Sequence, residues 1–214
     1  MNCKIFDVKT NKTITSNILA TINASKILTQ PVLSPRIVGD SVQEYLEENF
    51  SKCIPNDIII NFNSEFARRS MEDFAFTDMD NNYYAVDCKT HNIDTHFNMP
   101  NLISVKRLAN FYKNLNNYFC VLMLSYSANQ RKFQNRIFVP IEFLDWNCLT
   151  IGSLGFGQLQ IANSNNIILN TNNTRKQWML DLCDYLDTFY DNEIIKIGKT
   201  KSFFQQIREF WLKQ

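Results

Sequence analysis

The sequence predicts an α/β fold in which helices flank a mixed central β-sheet. Two N-terminal segments, residues 15–29 and 40–51, carry apolar residues at helical spacing. Strand-forming segments follow between residues 58 and 90, and the apolar run of residues 118–126 returns as a strand after another helical segment. This order is typical of an α/β sandwich, and a single domain over residues 1–214 is expected because the chain is long enough to bury one sizeable core.

The N-terminal half is predicted to form two helices and then three antiparallel strands. In the first helix, Ile18 and Ile22 lie on one apolar stripe, and Pro31 and Pro35 separate this helix from the second. Residues 77–82, with the sequence TDMDNN, favour a turn between the last two strands. Aromatic and β-branched residues indicate the strands themselves, which are predicted at residues 58–66, 74–76 and 83–90.

The C-terminal half is predicted to alternate between strands and helices. Pro100 predicts the start of a helix that continues to about Leu115, because proline is tolerated in the first turn. Thr174 is predicted to cap a late helix that continues to about Tyr190. The other predicted elements are strands at residues 119–126 and 136–140, an alternating polar and apolar segment at 158–161 after three glycines, an Asn-rich hairpin or loop at 163–173 and a separate last helix at 202–213.

Composition excludes several classes of protein and leaves others open. The net charge is only +1, so no overall basic field indicates nucleic acid, although a cleft can still be locally basic. The six cysteines are far apart, and His91 and His96 are the only histidines, so the spacing of a zinc site is missing. Scattered cysteines, an N-terminus without a signal-peptide pattern and the lack of a long apolar run predict a cytoplasmic chain without a membrane partner. No nucleotide cofactor is expected.

Two short stretches between residues 72 and 90 carry the most informative side chains. In a strand, Asp87 and Lys89 lie on one face and their immediate neighbours on the other. The predicted turn brings Asp73 beside Asp87. Two carboxylates and a lysine suit a Mg²⁺ site that activates water against a phosphodiester. Asp73 and Asp87 are the expected metal ligands, and Lys89 is the residue expected to orient or polarise the water.

This arrangement resembles the catalytic hairpin of the PD-(D/E)xK nuclease superfamily. Asp73, Asp87 and Lys89 stand at the three motif positions, and the hairpin covers about residues 72–90. The proline of the motif is missing. Glu72 stands there instead and competes with Asp73 for the ligand role.

A longer similarity follows this hairpin along the chain. The run DCKTHNI at residues 87–93, then PNLIS at 100–104 and KRLA at 106–109, resembles the HincII-like, blunt-cutting and EcoRV-related branch of the type II restriction endonucleases. Looser likeness extends the similarity to roughly residues 36–190.

The resemblance implies a PD-(D/E)xK restriction-endonuclease-like fold and a homodimer. With Mg²⁺ as cofactor, this dimer would cut both strands of a short palindromic site in double-stranded DNA. It would leave 5′-phosphates and blunt ends within a restriction–modification system. Two other interpretations stay open: a repair or junction-resolving nuclease of the same superfamily, and a catalytically inactive DNA-binding module.

Several residues near the hairpin are candidates for supporting roles. Glu44, on the second predicted helix, is a candidate for support of the metal site, or it is an ordinary exposed glutamate. His91 is predicted either to contact a phosphate or to lie on the surface. The resemblance implies that the loop at residues 94–99 inserts a side chain between bases from the minor groove. The tip of this loop is Phe97-Asn98-Met99, whose apolar side chains either form the wedge or pack against the protein itself.

Candidate DNA contacts lie in a readout segment at about residues 150–175 and in the region before it. Glutamine and asparagine pair bidentately with adenine, so this segment suits A·T pairs, or else it is an ordinary polar hairpin with glycine bulges. The base-contact candidates are Asn101, Ser153, Gln158, Gln160, Asn172, Asn173 and Arg175. The phosphate-contact candidates are Lys106, Arg107, Arg68 and Arg69.

Overall fold

The computed structural model describes residues 3–29, 34–66 and 70–214, so Arg68 and Arg69 lie outside the described residues. Within these ranges the helices are α1 (Val8–Ala24), α2 (Pro35–Asn49), α3 (Val105–Phe111) and α4 (Arg175–Trp211). The strands are β1 (Ile59–Asn63), β2 (Phe74–Asp78), β3 (Tyr83–Asn92), β4 (Asn101–Ser104), β5 (Asn117–Ser127), β6 (Lys132–Pro140), β7 (Leu149–Gly152) and β8 (Gln158–Ile161).

The larger sheet is mixed and has the strand order β1-β2-β3-β5-β6. Strands β1, β2 and β3 pair antiparallel, as predicted, and β5 pairs antiparallel with β6. Between them β3 and β5 run parallel, in register from Tyr83 beside Asn117 to Asn92 beside Tyr126. A parallel pair needs a crossover connection, which β4 and α3 supply. The predicted α/β class with a mixed central sheet and flanking helices is therefore confirmed.

Side-chain alternation along the central strands divides the core into two layers. On β5, Cys120, Leu122 and Leu124 belong to the layer covered by α1 and α2. Phe119 and Met123 face the opposite layer, which contains α3, the start of α4 and a smaller sheet of order β4-β8-β7. Because β5 is covered on both sides, it reads in the sequence as one continuous apolar run.

The two N-terminal helices begin earlier than the sequence predicted. Helix α1 ends at Ala24, where Ser25 turns to extended backbone. Pro35 does not separate the helices but begins α2, and the Ser34 side chain accepts a hydrogen bond from the Ile37 N–H. Proline costs little in the first helical turn, because its missing N–H has no intrahelical partner there.

The predicted helix from Pro100 to Leu115 is wrong in its first turn. Residues 101–104 form strand β4, which pairs with β8, and Leu102 and Ile103 are both buried. The helix starts only at Val105, after Ser104 accepts a hydrogen bond from the Arg107 N–H. Tertiary pairing with β8 thus overrides the local proline signal.

The C-terminal region forms one continuous helix rather than the two predicted. Thr174 caps it as expected, by accepting a hydrogen bond from the Gln177 N–H. The helix then runs 37 residues to Trp211, through Gly198. In the described parts of the chain, no helix combines the length and apolar character needed to cross a membrane.

Candidate active site and adjoining surfaces

Strand β3 places Asp87 and Lys89 on the same face, as predicted. The Lys89 Nζ lies 2.6 Å from Asp87 Oδ1, and both side chains are largely buried. Their neighbours Val86 and Cys88 pack in the layer beneath α1 and α2. The ion pair therefore lies on the opposite side of the strand from that layer.

Asp73 lies directly before β2 and extends the pairing of β2 with β3. Its N–H donates to the Val86 carbonyl at 2.9 Å. Its Oδ2 accepts from the Cys88 N–H at 2.7 Å, so the carboxylate lies against the backbone of β3 between Asp87 and Lys89. Glu72, the competing acid, instead accepts a hydrogen bond from the Tyr83 hydroxyl at 3.3 Å. The structure therefore brings Asp73, Asp87 and Lys89 together.

The electrostatics of this cluster are dominated by burial. Burial, opposed by Lys89 and reinforced by Asp73, raises the pKa of Asp87 to about 7. Burial also raises the pKa of Asp73, against the lowering effects of Lys89 and the Cys88 N–H. For Lys89, burial lowers the pKa, but the charges of Asp87 and Asp73 more than offset this and the pKa is raised. The site thus holds two crowded carboxylates around one ammonium group.

A cation would suit this donor set. Asp87 Oδ2 is buried and has no hydrogen-bond partner among the described residues, which leaves a carboxylate oxygen available as a ligand. No group of three or more His, Cys, Asp or Glu side chains in the described ranges is placed to hold a metal alone. Mg²⁺ is commonly bound by one or two carboxylates, with waters and substrate phosphates as its other ligands. Asp73 and Asp87 fit that pattern.

Helix α2 presents Glu47, not Glu44, to the Cys88 side of β3. Glu44 is exposed, whereas Glu47 is partly buried and accepts a hydrogen bond from the Gln43 side chain. Burial raises the pKa of the Cys88 thiol, and the nearby carboxylates, including Glu47, raise it further. Of the two alternatives for Glu44, the structure agrees with an ordinary exposed glutamate. Gly39, two turns earlier on the same side of α2, lies against Thr90 of β3, a contact that only the structure shows.

His91 does not lie on the surface, and its side chain is not accessible to a phosphate. Its side chain is buried on β3, and Nε2 is hydrogen-bonded to Asn165 Oδ1 at 2.7 Å. The Asn165 amide donates in turn to the carbonyls of Thr95 and His96, at 3.0 and 3.2 Å. His91 and Asn165 therefore join β3, which carries Asp87 and Lys89, to the loop at residues 94–99.

The tip of that loop points outward. Phe97 is 61% exposed, which argues against its packing on the protein itself, whereas Met99 is 42% exposed and thus partly covered. Asn98 is partly buried, and its carbonyl accepts from the Ser164 N–H at 2.9 Å. The loop backbone is therefore hydrogen-bonded to Ser164, while the side chains of Phe97 and Met99 are exposed to solvent.

A polar surface on the smaller sheet follows this loop. Asn101 on β4 pairs with Gln160 on β8, whose amide donates to Asn101 Oδ1 at 2.5 Å. Gln158 shares the outer face of β8, because Leu159 and Ile161 face inward and are fully buried. Gly152 leaves room for the Gln160 side chain, because a Cβ at position 152 would lie 2.6 Å from Gln160 Oε1. Asn101, Gln158 and Gln160 therefore form one continuous polar surface, here called the β8 face.

The other predicted DNA contacts are more scattered. Lys106 is exposed on α3, and Ser153 is exposed at a turn beside the exposed Leu154 and Phe156. Asn172 and Asn173 lie in the turn before α4, where Asn173 accepts from the Asn170 side chain.

Arg175 is an internal residue and the prediction that it contacts DNA is wrong. Its Nε lies 2.9 Å from Oε1 of the fully buried Glu142, and its Nη1 donates to the Leu115 carbonyl. The guanidinium also lies 4.3 Å from the ring centroids of Tyr112 and Tyr118. Buried ionic groups require partners of this kind, so Arg175 stabilises the fold and does not read bases.

Comparisons with known proteins do not assign the chain to a family. No protein-family model matches it, and no curated protein matches it. The site geometry and the two surfaces beside it are therefore the basis for a functional proposal.

Proposed function

We propose that this chain is a Mg²⁺-dependent nuclease of the PD-(D/E)xK class that cuts both strands of double-stranded DNA at a short palindromic site. The observation that carries the proposal is the placement of Asp73, at the start of β2, beside Asp87 and Lys89 on β3, with Lys89 Nζ 2.6 Å from Asp87. The similarity of residues 87–109 to type II restriction endonucleases adds to it. The expected products carry 5′-phosphates and blunt ends.

In this proposal, Asp73 and Asp87 bind the metal. The Mg²⁺ they hold would lower the pKa of a water molecule and neutralise charge at the scissile phosphate. Asp87 Oδ2, buried without a partner among the described residues, is the oxygen best placed to bind a cation. Lys89, fixed by Asp87, orients the attacking water for in-line displacement. The Cys88 N–H holds the Asp73 carboxylate in place.

DNA recognition is assigned to the two surfaces beside the site. Phe97 and Met99 are exposed apolar side chains on an anchored loop, which suits a wedge that unstacks a base step from the minor groove. The β8 face carries side-chain amides that suit adenine in the major groove. A palindromic target requires two-fold symmetry, so the active form is proposed to be a homodimer with one catalytic site for each strand.

The decisive experiment is digestion of a sequenced plasmid with Mg²⁺, followed by mapping of the ends. Discrete fragments with 5′-phosphates at one repeated sequence support a restriction endonuclease. Cleavage only at branched or damaged DNA would instead indicate a structure-specific nuclease. Specific binding without any cleavage would indicate an inactive DNA-binding module.

A lysine pair provides the matched control for the catalytic assignment. Lys89→Ala is expected to lower the cleavage rate by roughly 10²–10⁴-fold, the range expected when a positioned catalytic group is lost. Lys132→Ala, at an exposed lysine on β6, should cut at the parent rate. If Lys89→Ala is folded by circular dichroism and still cuts at the parent rate, the catalytic assignment is wrong.

Calcium separates binding from chemistry in the same proposal. Ca²⁺ accepts the same oxygen ligands with looser geometry and activates water less well. Gel-shift titration in Ca²⁺ should therefore give tight binding to the cleaved sequence and weak binding to a scrambled duplex. Equal affinity for both duplexes would contradict sequence-specific recognition.

A further inference from the structure

The C-terminal part of α4 carries a long apolar stripe that the described residues of the chain do not cover. The stripe begins with Trp178 and Leu182, which are fully buried against the body of the protein. It continues at helical spacing through Leu186, Tyr190, Ile194 and Ile197 and, after Lys201, through Phe204, Ile207 and Trp211. Ile197, Phe204 and Trp211 are 60–68% exposed. A helix of 37 residues is about 55 Å long, and much of its second half therefore lies bare.

The charges on α4 are separated along its length. Residues 178–193 carry five acidic and no basic side chains, whereas residues 194–214 carry five basic side chains and one acidic one. Two such helices in parallel would place like charges side by side. In an antiparallel pair, the acidic half of each helix lies beside the basic half of the other. Ile197 stands near the middle of this pattern, where a two-fold axis would pass.

The acidic half of α4 forms one side of a groove, and residues 145 and 146 form the other side. Asp145, Asp181 and Asp184 line a cavity of about 450 Å³ together with Trp146 and Tyr185. The Trp146 ring is stacked between Trp178 and Tyr185, with ring centroids 4.7 Å apart on each side. Acidic side chains beside a rigid aromatic stack suit a basic, aromatic segment. Arg208, Phe210, Trp211 and Lys213 form such a segment at the other end of the same helix.

We propose that a second copy of this chain covers α4. The two helices pair antiparallel about an axis near Ile197, and the basic end of each lies in the acidic groove of the other. Such an interface is self-complementary, because each copy supplies both the groove and the segment that fills it. The inference deepens the proposed function by naming the surface through which two copies pair.

Two isoleucines on α4 provide a matched test of the apolar stripe. Ile197 lies on the stripe, and Ile195, two positions away, lies about 200° around the helix at roughly 100° per residue. Both are more than half exposed, so neither substitution removes a contact within one chain. The full-length chain should sediment as a dimer, and Ile197→Asp should raise its dissociation constant on the order of 100-fold, because two buried side chains are lost per dimer. Ile195→Asp should leave the constant unchanged.

Charge reversal tests the antiparallel arrangement. Lys199→Glu, Lys201→Glu and Arg208→Glu together change the net charge of residues 194–214 from +4 to −2, so both halves of α4 become acidic. Asp184→Lys, Asp187→Lys and Asp191→Lys together change the net charge of residues 178–193 from −5 to +1, so both halves become basic. Each triple variant alone should be monomeric, with its helix content unchanged by circular dichroism. An equimolar mixture should restore the dimer, because each acidic half then meets a basic half.

Several outcomes would overturn the proposal. It fails if the parent chain is monomeric from micromolar to millimolar concentration, or if Ile197→Asp dimerises as well as the parent. A mixture of the two charge variants that stays monomeric excludes the antiparallel pairing. A monomeric parent that binds anionic vesicles through α4 would assign the stripe to a lipid surface instead. Sedimentation is measured without DNA or Mg²⁺, so this inference and the nuclease proposal fail separately.

Discussion

Replacing Arg175 by methionine should destabilise the fold and leave base preference unchanged. The side chain is 13% exposed, and its ion-pair partner Glu142 is completely buried. The Tyr112 hydroxyl donates to the other Glu142 oxygen at 2.7 Å, so one arginine and one tyrosine compensate a carboxylate that water does not reach. Methionine replaces the aliphatic part of the arginine side chain but lacks the guanidinium, so it leaves that carboxylate without a counter-charge.

The expected cost follows from this burial. Removing one partner of a buried ion pair costs about 3–5 kcal/mol, because an uncompensated charge remains. The lost stacking of the guanidinium on Tyr112 and Tyr118 lies within this range. For a chain of this length, each kcal/mol lowers the melting temperature by about 2–4 °C, so Arg175→Met should melt roughly 10 °C below the parent. Glu142→Gln added to Arg175→Met should recover most of the loss, since the buried charge is gone.

Thermal unfolding by circular dichroism and cleavage of duplexes with single base changes measure the two expectations. The double variant is the control that separates charge burial from a loss of packing. The assignment of Arg175 to the core is refuted if Arg175→Met melts within about 2 °C of the parent and cuts altered sequences. That result would instead support the original prediction that Arg175 contacts DNA.

Four further predictions test the site and its surroundings. Phe97→Ala with Met99→Ala should reduce the fluorescence change of a central 2-aminopurine, which reports unstacking of the bases. Gln158→Ala or Gln160→Ala should instead lose about 1–3 kcal/mol of discrimination at particular base pairs, and the opposite pattern would exchange the two roles. Glu47→Gln, like the exposed Glu44→Gln, should leave the rate of single-turnover cleavage unchanged, because α2 covers the face of β3 opposite Asp87 and Lys89, and a loss of about ten-fold or more would place α2 at the metal site. His91→Phe, which fills the buried space without binding Asn165, should speed amide hydrogen exchange in residues 94–99, and unchanged exchange would mean that other contacts hold the loop. Burial raises the pKa of Asp78, but hydrogen bonds from Tyr84, Asn82 and Asp80 to its carboxylate outweigh burial, so the pKa is lowered. The ionised Asp78 therefore stabilises the fold above its ordinary pKa of 3.8, and this stabilisation is lost as the pH falls through the lowered pKa. The free energy of unfolding should therefore differ between the parent and Asp78→Asn at neutral pH and converge below about pH 3, and a constant difference would contradict this linkage.

The hairpin of β2 and β3 shows how much local sequence information predicts. Strand alternation is a property of the backbone itself, so the common face of Asp87 and Lys89 could be predicted without any tertiary contact. The turn before Tyr83 was equally predictable, because Asp78 and Asn82 supply its hydrogen bonds from within the turn. The choice of Asp73 over Glu72 was supported only by resemblance. It depends on pairing of the Asp73 backbone with Val86, which the sequence of one strand does not specify.

The errors share one physical origin, which is that burial depends on residues far away in the chain. Arg175 looks like a surface cation in the sequence, and only Glu142, 33 positions away, makes it internal. His91 was expected at the surface or against a phosphate, but it is buried and hydrogen-bonded to Asn165, 74 positions away. The strand after Pro100 forms because β8 lies beside it.

The sequence by itself determined the α/β class, the central strands, the Thr174 cap and the face shared by Asp87 and Lys89. Each of these follows from local periodicity or from a hydrogen bond a few residues long. The tertiary structure alone decided which acid lies against β3, which glutamate of α2 faces that strand and which predicted DNA contacts are exposed. These depend on packing between distant segments, where the free energy of burying a charge or an apolar side chain outweighs local preference.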